Sequence, residues 1–322
     1  MYKKLKIIFA GTGDFTIYHL TNLLSNHQIV GILTSHDESM TGKKNRLLLS
    51  RIKSFTIKHN ISLFQPKSED FFQKDFHDQL AFLKADLMVV ISYGIILPSS
   101  VINIPRLGCI NVHSSLLPRW RGAAPIPRSI IAGDEMTGVT TIQINPGIDT
   151  GDILHQIPCA IENSDTSATL GEKLSKLGSI SMLITLKQCI NGNIYPQIQP
   201  ENTATYARKI RKKEARINWK LSAIEIERHI RAFNPWPVSY FYIHEKYIKV
   251  WKASVCKKKS GINEMKYQPG EIIQTNKNGI QIATGKDILN IEELQLAGKK
   301  ILTVGEFINS RKEWFTSGLI LD

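Results

Sequence analysis

Residues 108–127 read G-C-I-N-V-H-S-S-L-L-P-R-W-R-G-A-A-P-I-P. The stretch opens as a short apolar strand carrying two polar residues, Asn111 and His113, two positions apart. Side chains two apart on a strand share a face. An amide and an imidazole are therefore aimed at one spot, where the strand runs out. An apolar S-L-L-P turn follows, then R-W-R, then a bend rich in Gly and Pro. An amide donor, an imidazole and an apolar floor suit carbonyl chemistry.

Working outward, residues 86–91 (D-L-M-V-V-I) form a continuous β-branched run, as expected of a strand buried on both faces. At the N-terminus residues 6–10 run into G-T-G-D, and a helix over 15–25 and a strand over 29–34 follow. Strand, turn, helix and strand make a βαβ unit and imply a parallel sheet. The third glycine of a dinucleotide fingerprint would fall on Thr16, so the glycines are read as a tight turn. A helix to about His59, a strand over 61–64 and a helix over 71–84 come next. Beyond the bend a strand over 138–144 runs into N-P-G-I-D-T-G-D, and a strand over 153–161 follows. A long helix with Leu170, Leu174, Leu177 and Ile184 on its core stripe closes a first domain over 1–192. Residues 193–206 read as a linker. In 207–322, short strand-like runs separated by N-G and T-G-K-D turns have the texture of a small antiparallel barrel.

At 322 residues the chain is long enough for two domains. No apolar run approaches the roughly 20 residues that span a bilayer. The apolar part of M-Y-K-K-L-K-I-I-F-A is shorter than a signal-peptide core, so the expectation is a cytoplasmic protein, read as a monomer with no membrane partner. The four cysteines are far apart and form no C-x-x-C, which argues against zinc and against a disulfide framework. The net charge of +13 is uneven: residues 191–322 carry 22 Lys and Arg against 13 Asp and Glu. Two readings of that excess stand side by side, a polyanionic partner and a genome that favours lysine.

Asn111, His113 and Asp149 make the candidate catalytic set, expected where adjacent strands end. Gly147 and Gly151 flank Asp149 and would let the backbone bring its carboxylate close. No G-x-S-x-G elbow is present, and Ser114 faces away from His113. The set suits direct attack of an external nucleophile on a carbonyl. Asn111 would donate to the oxygen, and Asp149 would orient His113 and help move a proton.

N-V-H-x-S-L-L-P-R-W-R-G-A-A-P with a downstream I-D-T-G-D resembles the folate-dependent formyltransferases. R-A-F-N-P-W-P at 231–237, K-V-W-K-A and S-R-K-E-W-F extend the similarity to the far end. With its second domain the chain is most similar to the members that formylate methionine on initiator tRNA. The resemblance implies a Rossmann-like α/β domain followed by an OB-like antiparallel β-barrel. It implies 10-formyltetrahydrofolate as formyl donor, initiator methionyl-tRNA as acceptor, and no metal. It also places the family's catalytic set on Asn111, His113 and Asp149, and folate contacts on Ser115, Leu116, Leu117 and Pro118. Ser92, Tyr93 and Gly94 match its pterin-side loop. The tRNA would meet Lys43, Lys44 and Arg46 in an altered first loop, Arg119 and Arg121 around Trp120, and the basic run Arg208, Lys209, Arg211, Lys212 and Lys213. The same catalytic set would serve a formyltransferase acting on an amino sugar. An RNA-binding protein that has lost catalysis is the rival from another class, and the intact catalytic set argues against it.

Overall fold

Strand β1 (Lys6–Gly11) is buried at five of its six residues, which is why its sequence is continuously apolar rather than alternating. The structure, a computed structural model, describes residues 4–12, 16–36, 43–256, 267–309 and 311–321; for 43–50 and 312 it describes the backbone alone. The chain divides into two compact units. One comprises residues 1–125, 136–160 and 171–207, the other 126–135, 161–170 and 208–322. The whole stretch read as a linker thus lies in the first unit, and two segments read as part of the first domain, one of them carrying most of helix α5 (Pro125–Ala132), pack in the second.

The first unit holds a seven-stranded sheet. It contains β1, β2 (Gln28–Leu33), β3 (Ser62–Phe64), β4 (Leu87–Ile91), β5 (Cys109–His113), β6 (Met136–Gln143) and β7 (Ile153–Ala160), in the order β3-β2-β1-β4-β5-β6-β7. The pairings from β3 through β5 are parallel. Those of β5 with β6 and β6 with β7 are antiparallel. Helices cover both faces, as parallel strands require. Leu20 and Leu23 of α1 (Thr16–Asn26), Ile52 of α2 (Lys43–His59), and Met182 and Leu186 of α6 (Ser167–Asn191) join Phe9, Val89 and Ile110 on one side. Phe76 and Leu80 of α3 (Lys74–Phe82) and Val101 and Ile102 of α4 (Ser99–Ile102) join Ile8, Met88 and Cys109 on the other.

The reversal of β6 corrects one expectation. Its last residue, Gln143, pairs with Ile110 at the start of β5. The loop bearing Asp149 therefore leaves the edge opposite the end of β5 and must fold back to reach it.

The second unit is an antiparallel half-barrel. Its main strands are β8 (Tyr240–Ile243), β9 (Lys246–Cys256), β10 (Ile272–Asn276), β11 (Gly279–Ala283) and β12 (Ile288–Leu296), in the order β10-β11-β12-β9-β8, with β13 (Leu302–Thr303) on β12. Helix α7 (Ala223–Ala232) lays Ile226 and Ile230 into a core with Phe241, Ile248, Val250 and Leu289. Ser222 and Glu225 form its capping box, with the Ser222 N–H donating to Glu225 Oε2 at 2.9 Å.

Helix α6 also departs from its sequence pattern. Leu170 and Leu174 are buried, but Ile184 is exposed, and small residues (Gly178, Ser179, Ser181, Thr185) share the packed face with Met182 and Leu186. A methyl at Gly178 would stand 2.9 Å from Val112 Cγ1 and 3.4 Å from His19 Cε1 of α1. This close approach leaves His19 buried with Nδ1 unpartnered among the described residues. Burial pushes its pKa down to about 4.

His19 is therefore neutral in the fold, whereas the unfolded chain gains its proton near pH 6.5. Protons favour the unfolded state as pH falls from about 6.5 to about 4, costing up to roughly 3 kcal/mol from this residue. Urea unfolding should show stability falling from pH 7 to pH 4.5, and His19→Gln should flatten that slope.

Candidate active site

Strand β5 is buried among its neighbours, and Cys109, Asn111 and His113 alternate onto one of its faces. Cys109 is fully buried, and burial pushes its thiol up to about 12, so it is no nucleophile near neutrality. Asn111 is half-buried and His113 is buried.

The β6–β7 loop returns to this face and delivers Asp149 in the left-handed region, at φ +53°. Asn111 Nδ2 donates to Asp149 Oδ1 at 3.3 Å, and the Gly122 N–H donates to Oδ2 at 2.8 Å. His113 Nδ1 lies 3.5 Å from the same Oδ2. The other imidazole nitrogen, Nε2, is 2.8 Å from the Trp120 carbonyl. A carbonyl only accepts, so Nε2 carries the hydrogen, and Nδ1 is the nitrogen turned to the carboxylate. The three residues predicted from the sequence thus meet. The sequence did not reveal the two backbone groups that hold them, the Trp120 carbonyl and the Gly122 N–H, because backbone partners leave no residue-type signal. The nearest clue was the glycine itself: Gly122 has φ +110°.

The S-L-L-P turn is a built scaffold. Ser115 Oγ donates to the Arg119 carbonyl at 2.6 Å. Thr140 Oγ1 donates to the Ser115 carbonyl at 2.7 Å and accepts from the Leu117 N–H at 3.0 Å. Ser115 and Leu117 are consequently interior, while Leu116 and Pro118 are half-buried. After β4, Ser92 and Gly94 adopt φ +51° and +76°. Between them the Tyr93 ring is buried against Phe71, with centroids 6.4 Å apart. Its hydroxyl has no hydrogen-bond partner among the described residues, and burial raises its pKa.

The predicted basic contacts separate into four groups. Arg119 is exposed, its guanidinium 4.4 Å from the Trp120 ring centroid. Arg208, Lys209, Arg211, Lys212 and Lys213 are exposed around buried Ile210 and Ala215. Glu214 braces this run within the second unit, accepting from the Arg211 N–H at 2.7 Å and pairing with Arg128 at 2.8 Å. Arg121 is a correction. It is only 1% exposed, and its guanidinium donates to Gln199 Oε1 at 3.0 Å and Glu201 Oε2 at 2.7 Å. It is an internal cation with no surface for phosphate. The Lys43, Lys44 and Arg46 side chains, and the loop before them, lie outside the described residues. Among the described residues no three His, Cys, Asp or Glu side chains are grouped to hold a metal ion, and no helix is long and apolar enough to cross a membrane.

An amide and an imidazole–carboxylate pair at the end of a Rossmann-like strand, with a half-barrel following, define the class. Residues 3–186 match the formyl transferase family and residues 209–312 match the formyl transferase C-terminal domain. The chain belongs to the formyl transferase family. Among solved structures, HypX from Aquifex aeolicus shares the fold, with TM-score 0.65 and 15% identity over 96% of this chain and 49% of that one. The chain thus spans about half the length of HypX. WlaRD, a sugar 3N-formyl transferase, matches with TM-score 0.67 and 20% identity over 92% of this chain and 100% of that one. The N-formyltransferase from Helicobacter canadensis, in complex with folinic acid and dTDP-3-aminofucose, matches with TM-score 0.64 and 19% identity over 89% of this chain and 99% of that one.

The Asp149 loop closes so tightly that a methyl at Gly151 would sit 1.6 Å from the Gln143 carbonyl oxygen. Gly151→Ala should displace Asp149 and lower formyl transfer by about 10²-fold, since ångström-scale misplacement costs that much. Circular dichroism should show the sheet retained; wild-type turnover in the variant would show that the loop tolerates the shift.

Proposed function

We propose that the protein transfers the formyl group of 10-formyltetrahydrofolate to the α-amino group of methionine on initiator tRNA. The observation that carries the chemistry is the convergence of Asn111, His113 and Asp149 on one strand end. Bound folate would supply an activated formyl carbon whose bond to N10 breaks as the new bond to the amine nitrogen forms. The Asn111 amide is placed to donate to the formyl oxygen. Asp149, facing His113 Nδ1, is placed to take the proton that the amine loses and pass it toward the departing nitrogen. A free α-amine titrates near 7.7–8.0, so part of it is nucleophilic at neutral pH without metal assistance.

The residues present fit a folate. The unpartnered, buried Tyr93 hydroxyl offers a donor on the pterin-side loop, and a side chain at Gly94 would meet no atom within 4 Å. Ser92, Tyr93 and Gly94, with Leu116 and Pro118, would hold the group. Ser115 and Leu117 would shape the turn from inside.

Transfer RNA as acceptor carrier is supported by the exposed cations from Arg208 to Lys213 and by the basic excess beyond residue 190. We assign the chemistry to the first unit and tRNA binding to the second. A second reading, an amino sugar on a nucleotide carrier, is favoured by the likeness of WlaRD and the Helicobacter enzyme over most of this chain.

The purified protein with radiolabelled 10-formyltetrahydrofolate should label methionyl-tRNA and leave dTDP-amino sugars unlabelled. The reverse result overturns the tRNA assignment and keeps the chemistry. Asn111→Ala should cut turnover about 10²–10³-fold while tRNA affinity stays within twofold. That affinity should fall steeply with added salt, and reversing the charge at Lys212 and Lys213 should make the fall shallower.

A further inference from the structure

From Gln197 onward, the stretch read from the sequence as a linker is bonded to the segments that build the candidate site. The Ile153 N–H donates to the Gln197 carbonyl and the Gln197 N–H to the Ile153 carbonyl, each at 2.8 Å, fastening the stretch to the start of β7. Further on, the Thr205 N–H donates to the Pro118 carbonyl at 3.2 Å, and the Arg121 N–H to the Thr205 carbonyl at 2.8 Å. The Ala207 N–H then donates to the Arg121 carbonyl at 2.7 Å. Residues 118–124 and 205–207 therefore run as a short parallel ribbon, with Arg121 bridged to Tyr206.

Two side chains of this stretch act on the groups that hold the catalytic set. Gln199 is 5% exposed. Its Nε2 donates to the carbonyls of Asp149 at 2.8 Å and Gly151 at 2.7 Å, and its Oε1 accepts from Arg121 Nε at 3.0 Å. Carbonyls only accept and a guanidinium only donates, so the amide has one sensible orientation, with both of its N–H donors used. It fastens the backbone at the left-handed Asp149 and just after it. Thr205 Oγ1 accepts from the Trp120 N–H at 2.9 Å. That bond holds a residue at φ +66°, a costly conformation for tryptophan, whose carbonyl in turn fixes His113 Nε2.

We infer that Gln199, Thr205 and Arg121 are positioning residues of the transfer reaction: the 197–207 stretch acts as a strap that sets the Asp149 carboxylate and the His113 ring against each other. Arg121 is the joint of the strap, its buried charge meeting Gln199 on one side and Glu201 on the other. Glutamate at 199 would lose both donors and set a carboxylate against two carbonyls. Valine at 205 would keep the shape and lose the acceptor. This assignment rests on the formyl-transfer reading for its kinetic consequences, but its structural content stands apart from the acceptor's identity.

The test takes the full-length protein and whichever amine the wild type formylates. Gln199→Glu and Thr205→Val should each lower kcat about 10–100-fold, with KM for the formyl donor within twofold. Thr205→Ser, which keeps the acceptor, should hold kcat within about threefold of wild type. In parallel, ¹⁵N-histidine NMR should show the His113 Nε2–H resonance of the wild type preserved in Thr205→Ser and shifted or exchange-broadened in Thr205→Val. Unchanged kcat and an unchanged His113 resonance in both Gln199→Glu and Thr205→Val would overturn the inference. So would a loss that Thr205→Ser shares equally. If the wild type formylates neither methionyl-tRNA nor a sugar amine, the functional reading fails, and the NMR comparison still decides whether the strap orients His113.

Discussion

The arrangement rests on one partly buried carboxylate and what it costs to keep it where it is. Asp149 sits on a non-glycine left-handed backbone, 16% exposed on its side chain, with an amide and a backbone N–H donating to it and an imidazole nitrogen beside it. A carboxylate taken from water needs those partners, and the left-handed turn needs to be overdetermined by its surroundings. Most of the unusual backbone of the first unit answers that need. Gly151 is a glycine because a carbonyl stands where its side chain would be. Gly122 is a glycine at φ +110°, so that its N–H can face the carboxylate.

The antiparallel turn of the sheet explains why the loop has to be so constrained. In a wholly parallel sheet, functional loops share one edge and reach a ligand directly. Here β6 reverses, so its hairpin loop starts from the wrong end and doubles back along the face of β5. The reach is long, and it needs a second attachment. The geometry that makes the site possible therefore also makes it depend on chain that is distant in sequence.

That dependence marks the limit of what residue patterns could convey. Asn111 and His113 were legible because strand periodicity puts i and i+2 on one face. Asp149 was legible from its flanking glycines. The half-barrel was visible in its turn signals, and the buried central strand in its unbroken β-branched run. Arg121 was misread because an arginine beside an exposed arginine and a tryptophan looks like a surface cation. Its burial is decided by Gln199 and Glu201, nearly eighty positions away. The stripe of α6 was misread for a similar reason: Ile184 satisfies the helical period, yet the packed face is built of glycine and serine, where α1 comes close. The stretch 193–206 was misread because proline and polar residues without periodicity are the usual marks of a connector, and its pairing is with loops.

The position of the strap has a consequence for synthesis on the ribosome. All seven strands of the sheet have been made by residue 160 and helix α6 by residue 191. A nascent chain at that point contains every strand of the sheet and the Asn111 and Gly122 donors to Asp149, but not Gln199 and Thr205, which hold the backbone at Asp149 and Trp120. Only when residues up to 207 emerge does the chain gain the partners that close the site. Competence for chemistry is thus separated in time from formation of the hydrophobic core, and it arrives with a piece of chain that adds almost nothing to that core.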